Sequence, residues 1–435
     1  MYRVTFAILI ACLPVVGQAS VDISGSVRAR YEALDNQYRA TGPESDSQVA
    51  ARTTLMLDYS ANRWSVTAEM MDSRAFLLAD DAIINTSIVN ITEIIQARLN
   101  WITTDGKFRL SLGRFTQDLG TRRLVGRNNY RNTTNAFAGL LAKYGSGEDN
   151  RYTLFVASPL RIRPAARPDL LSPRYETDNQ DESSRLIAVH GLFQQVMGEF
   201  DAETYFLRLK EEDDKDEPTT NKKLNTLGVR LVKPRSGGEW DLDTEAIFQW
   251  GKRRQTNSPL DLDDLDVRAF LLSARAGFMP GDSQRWSLAF DVVSGDKALT
   301  NNRFERFDTL YGPSVPDFGF TGIYGAVSRA NLIAPEVRWE FFGKQLDAYL
   351  AWRAIWLQSA SDAFGRSGVH DPAGASGRFA AQQLHGQVRY WLIEQRVRLE
   401  SGFALLVHEK FLRAAPNAPG FGDTSYVFTA INFSF

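Results

Sequence analysis

Arginine supplies most of the chemistry that this sequence offers. Arg28, Arg30, Arg52, Arg98 and Arg109 near the N-terminus share the polar phase of segments that alternate apolar and polar residues. Arg353, Arg389, Arg396 and Arg398 do the same near the C-terminus. A guanidinium keeps its charge and presents a planar fork that matches a carboxylate with two parallel hydrogen bonds. Acids on the same phase, namely Glu199, Asp201, Glu203, Asp241, Asp243 and Glu245, fall mid-chain. Arg114, Arg122 and Arg123 stand beside a long loop and are placed to narrow a mouth. Two roles fit this distribution. Basic strands from both chain ends, facing acidic strands across a lumen, would set up a transverse field that orients and filters anions. Alternatively, the arginines and acids pair with one another and stiffen the wall.

Other chemistry is thinly supplied. Only His190, His370, His385 and His408 offer imidazole bases. There is no Gly-x-Ser-x-Gly elbow and no His-Glu-x-x-His pair, so a barrel-borne hydrolase is the weaker reading and no enzyme is expected. Cys12 is the single cysteine, which leaves no disulfide, thiolate nucleophile or Cys-ligated metal in the chain after residue 19. The run "KEEDDKDEPTTNKK" (210–223) reads as a solvated outer loop. Its carboxylates are the one candidate for a loop-bound calcium, although EF-hand spacing is missing. No other cofactor or metal is expected. Tyr311, Phe318, Phe320 and Tyr324 either stack on sugar rings or pack their own loop.

The elements that must position these residues are strands. "VDISGSVRARYE" (21–32) puts Val21, Ile23, Val27, Ala29 and Tyr31 on one face and Asp22, Arg28, Arg30 and Glu32 on the other. "EWDLDTEAIFQW" sets Trp240, Leu242, Ala246, Phe248 and Trp250 against Asp241, Asp243, Glu245 and Gln249. Period two over such lengths is strand. About eighteen strands can be placed between residues 21 and 435. The links alternate in length. Short ones include 60–63, 103–106, 145–150, 233–239 and 280–285. Long ones include 33–49, 73–92, 115–136, 159–184, 210–223, 294–333, 357–381 and 408–424. That sorting predicts an all-β fold, a transmembrane antiparallel barrel with short periplasmic turns and long extracellular loops. Only a closed barrel satisfies every backbone polar group of such strands in hydrocarbon. Trp240 and Trp250 would stand roughly 25 Å apart along the membrane normal, the height of an apolar band edged by aromatic girdles.

Residues 1–19 read as a signal peptide, with Arg3, a short apolar run and a Gly17-Gln18-Ala19 cleavage site. A lipoprotein box ending on Cys12 is the rival. Residues 20–435 would then form the barrel. "SYVFTAINFSF" closes on Phe435 with alternating apolar residues, which resembles the signal read by the barrel-assembly machinery.

Several segments resemble the alginate export family of eighteen-stranded porins. They are "GSVRARYEALDN", "DSRAFLLADD", "EIIQARLNW", "LSLGRFTQDLGTRRLVGRNNYRN" and "FDTLYGPSVPDFGFTGIYGAVSRANL". The strongest parts are Gly113-Arg114, Gly120 to Arg123 and Phe307 to Tyr311. The family usually follows Gly-Arg with Gln, whereas Phe115 stands here. The resemblance implies export of an anionic polysaccharide through an Arg-rich lumen in the bacterial outer membrane. A general porin, or one for small organic anions, is the alternative, and an adhesin or plugged receptor is a further one. Expected partners are outer-membrane lipid and lipopolysaccharide, the anionic solute or polysaccharide, and the assembly machinery. The barrel is expected to be monomeric, with no nucleic-acid partner.

Overall fold

The computed structural model describes residues 19–147, 149–172, 174–213, 218–297, 301–315 and 317–435. The expected signal segment lies outside them apart from Ala19. So do residues 214–217 of the charge run considered for calcium.

Eighteen strands form one ring. They are β1 (Ala19–Asp35), β2 (Asp46–Ala61), β3 (Trp64–Phe76), β4 (Asn90–Ile102), β5 (Phe108–Phe115) and β6 (Phe137–Tyr144). Next come β7 (Arg151–Arg161), β8 (Ser184–Phe193), β9 (Asp201–Glu211), β10 (Lys223–Lys233), β11 (Trp240–Arg253) and β12 (Leu265–Phe278). The last are β13 (Gln284–Val293), β14 (Leu332–Phe342), β15 (Leu346–Trp356), β16 (Phe379–Ile393), β17 (Val397–His408) and β18 (Thr424–Ser434). Each pairs antiparallel with its sequence neighbours, and β1 pairs with β18 from Ser26↔Ser434 to Asp35↔Ser425. Two further two-residue pieces, Asn179–Gln180 and Arg303–Phe304, edge the ring at β7 and β12.

Alternation explains the two faces. On β1, Val21, Ile23, Val27 and Tyr31 are exposed, whereas Arg28, Arg30 and Glu32 are buried. An apolar outer surface is stable in lipid and would not be in water. At the short-turn end Trp64, Trp240 and Trp286 are exposed, and the Trp286 and Trp339 rings lie 6.5 Å apart. At the other end Trp250 sits 6.2 Å from Phe206 and 5.8 Å from Phe248. Both girdles expected from the Trp240–Trp250 spacing are therefore present.

The seam is closed by the last residue. Phe435 N donates to Gly25 O at 3.1 Å, and Gly25 N donates to Phe435 O at 3.0 Å. The Phe435 ring lies over Gly25, where a Cβ would stand 2.5 Å from Cζ and 2.8 Å from Thr54 O. Only glycine fits that approach.

Two long loops fold inward. The 116–136 and 294–331 segments meet at a Val125–Tyr311 bridge, with Tyr311 N donating to Leu124 O at 2.9 Å. Phe318, Phe320, Ile323 and Tyr324 are buried against the inner wall. Phe320 stands 4.9 Å from Phe428, and Tyr324 stacks on Tyr426 at 5.3 Å. Three of the four loop aromatics considered for sugar stacking are thus packing residues. Tyr311 alone borders open space.

Candidate functional site

The inner wall is built from the polar phase of each strand, and register decides which arginines become neighbours. Arg52 lies opposite Arg28, Arg28 opposite Asn432, and Asn432 opposite Arg398. This row crosses the seam from β2 through β1 and β18 to β17. It joins sequence positions more than 300 residues apart, because first and last strands must pair to close the ring.

The row lines a cavity of about 600 Å³ at the short-turn side. Arg389, Arg122 and Tyr130 also line it, with three arginines that sequence reasoning did not single out: Arg235, Arg275 and Arg338. The whole lining holds eight arginines and two acids, Glu340 and Glu400. Glu400 pairs with Arg398, and Glu340 with Arg285 and Arg235. Four donors of the row, Arg52 Nε, Arg28 Nε, Asn432 Nδ2 and Arg398 Nε, are buried with no hydrogen-bond partner among the described residues.

The inward loop forms the cavity roof. Arg28 donates to Asn129 O at 3.0 Å, Arg131 O at 3.2 Å and Asn132 Oδ1 at 3.1 Å. Arg52 donates to the same two carbonyls, each at 3.0 Å. Arg30 donates to Tyr130 O at 2.6 Å, pairs with Glu32 at 2.8 Å and lies over the Tyr130 ring. Beyond this roof lies a second cavity of about 660 Å³, bordered by Arg39, Arg131, Arg366 and Tyr311. A thin partition of residues 128–131 and 313–315 thus separates an outer from an inner vestibule.

The remaining arginines fall elsewhere. Arg98 and Arg109 face inward on β4 and β5, with Arg109 opposite Lys143 in register. Arg353 is fully buried, paired with Glu336 and stacked 4.3 Å from the Phe318 ring. Arg123 is locked between Glu245 and Asp317. Arg114 departs from the expected lumen position. It follows outward-facing Leu112 on β5 and holds Glu93 at 2.7 Å near the rim. Arg396 is exposed in the 394–396 turn, because the chain reverses there before β17 begins.

The acids do not form a bare wall. Glu203 pairs with Arg230 and with His190 at 2.9 Å. Asp243 holds Arg230 at 2.8 Å, and Asp241 holds Arg285 at 2.6 Å. Glu245 accepts from Tyr205 Oη at 2.6 Å besides meeting Arg123. Glu199 and Asp201 lie at the short-turn end. Glu199 is exposed and meets Lys233, whereas Asp201 accepts from Gln195 N at 2.9 Å and holds the turn. The partners Arg230 and Arg285, and the cavity's Arg275, could have been found from phase. In "LLSARAGF", for example, Leu272, Ala274 and Ala276 face out and Arg275 faces in. Arg235 sits in a turn and carries no such signal. The inward loop residues 128–131 are placed by tertiary packing alone. Among the described residues no cluster of three His, Cys, Asp or Glu is arranged to hold a metal.

The alginate export family model matches residues 19–420. No individually curated protein matches by sequence. Among solved structures, Pseudomonas aeruginosa OccK8 (OprE) aligns with a TM-score of 0.62 at 11% identity, over 96% of this chain and 98% of that one. Pseudomonas aeruginosa OpdK with vanillate gives 0.60 at 10% identity, over 95% and 98%. Acinetobacter baumannii OccAB4 gives 0.60 at 10%, over 97% and 100%. At such identities the likeness establishes the barrel fold. The chain belongs to the alginate export family and is a channel of the bacterial outer membrane, not an enzyme.

Proposed function

We propose that the channel passes carboxylated anions, with an acidic polysaccharide as first candidate, and that the seam row is its recognition element. The observation that carries this reading is the set of buried, unpartnered donors on Arg52, Arg28, Asn432 and Arg398. Buried donors without acceptors are costly and rare in folded proteins. An arriving carboxylate supplies oxygens to guanidinium forks and offsets that cost. Excess positive charge in a narrow, low-dielectric bore also concentrates anions at its mouth. Family membership favours a polyuronate. The reading also takes residues 1–19 as the export signal and the strand ending on Phe435 as the assembly signal of a monomeric barrel.

A second reading, small organic acids, is favoured by the partition. The inner cavity of about 600 Å³ is in the size range of small-molecule sites, and the roof loops separate it from the outer vestibule. The fold-level likeness to OpdK with vanillate points the same way.

Single-channel recording in planar bilayers separates the two. Oligomeric polyuronate added at micromolar level should block current in the wild type, and small monocarboxylates should not compete at equal carboxylate concentration. Block by monocarboxylates alone would favour the second reading. Block by neither, in a channel that conducts anions and cations equally, would remove both.

A further inference from the structure

The outward face of the mid-chain strands carries a second charged feature that conduction does not use. Register aligns Val189, Phe206, Leu227, Phe248 and Phe270 as one apolar row across β8 to β12. Two residues closer to the long loops, Arg208 and Arg268 flank Asn225 and Trp250. Two residues further out, Arg185, Lys210, Lys223 and Lys252 stand directly opposite one another on four adjacent strands. All six cations are exposed.

Like charges directly opposite across strands destabilise a sheet, and here three such contacts follow in succession. Among the described residues, Lys210 alone of the six forms an ion pair. Glu212 pairs with Lys210, and Asp266 lies opposite Lys252 but also beside Arg303. Arg185, Arg208, Lys223, Lys252 and Arg268 have no ion pair or side-chain hydrogen bond among the described residues. The rows are about 7 Å apart and the strands about 4.8 Å apart. The patch therefore sits just beyond the Phe206–Trp250 girdle, at the headgroup level of the outer leaflet.

We propose that this patch is a binding site for the phosphorylated glucosamine headgroup of lipopolysaccharide. Phosphate oxygens accept from the lysine and arginine row, and the acyl chains lie along the apolar row beneath it. A soluble polyanion would use the cations and leave the apolar row unused. Phosphate binding relieves the cross-strand repulsion, so the bound lipid stabilises the barrel.

Native mass spectrometry of the folded barrel with bisphosphorylated lipid A, and with the same lipid after dephosphorylation, tests the site. The wild type should retain one phosphorylated lipid. K210Q/K223Q/K252Q should bind it at least about tenfold more weakly. The dephosphorylated lipid should bind both proteins equally poorly. Unfolding temperature supplies a sign that loss of fold cannot mimic. In lipid-free detergent the variant should match or exceed the wild type, and only the wild type should gain on adding phosphorylated lipid. If the triple variant fails to fold, R208Q/R268Q is measured in the same way. Equal binding of phosphorylated lipid by wild type and variant, or equal binding of the two lipids by the wild type, would overturn the site. Neither result bears on the channel reading.

Discussion

Arg123 shows how far a residue's type can stand from its role. Its sequence position beside a long loop suggested a contact with solute, yet it is buried between Glu245 and Asp317 and ties the 116–136 loop to β11 and to the 294–331 loop. Removing one member of a buried ion pair leaves the others uncompensated, at about 3–5 kcal/mol. Arg123→Ala should therefore lower the unfolding temperature in detergent and add current noise, with little change in ion selectivity. Asp178 offers a pH test at the rim. Burial, and then the nearby Glu93 carboxylate, push its carboxyl up to about 7. Its Oδ1 accepts from Arg163 N at 2.9 Å, its Oδ2 from Asn90 Nδ2 at 3.0 Å, and its N donates to Glu93 at 2.8 Å. The folded pKa lies above the unfolded value, so the folded rim binds the proton more tightly. The anchor is then strongest below the unfolded pKa and weakens as pH rises through about 7. Roughly a tenth of Asp178 is charged at pH 6 and nine-tenths at pH 8. Trypsin cleavage after exposed Arg174 should speed up across that window, and Asp178→Asn should flatten the dependence.

At the scale of elements, strands were legible and loops were not. Alternation is local, so "VDISGSVRARYE" and "EWDLDTEAIFQW" declare both their conformation and their two faces. The lipid side of Trp240 and the lumen side of Arg28 follow directly. Loop paths depend on contacts between distant residues. Nothing near Phe320 in sequence announces Phe428 or Tyr130 as its neighbours at 4.9 and 5.4 Å. The loops expected outside thus turned inward and made the partition. The seam is the element whose failure would show most clearly. Gly25→Val should clash with both the Phe435 ring and Thr54 O, costing about 1–3 kcal/mol as overpacking does. Heat-modifiable migration on gels should show the folded band lost at lower temperature than in the wild type. An unchanged transition would mean that Phe435 does not lock the ring.

On the scale of the whole molecule, no bare acidic wall stands opposite the basic one among the described residues. Basic strands from both chain ends do meet, through the Arg52–Arg28–Asn432–Arg398 row. Of the mid-chain acids that were to face them, Glu203, Asp241, Asp243 and Glu245 are neutralised by Arg230, Arg285 and Arg123. Sequence phase located the acids and could have set Arg230 and Arg285 inward, but which charge meets which depends on strand register and on the path of the 116–136 loop. One polarity remains, a basic inner vestibule. Its reach is about 10 Å at 0.1 M salt and about 3 Å at 1 M, so selectivity should fade as salt rises. The reversal potential of single channels under a potassium chloride gradient at low ionic strength tests this most directly. The account predicts anion selectivity that falls markedly in R28S/R52S/R398S and is weak for both proteins at 1 M salt. Cation selectivity in the wild type, or a reversal potential indifferent to the three substitutions, would contradict it.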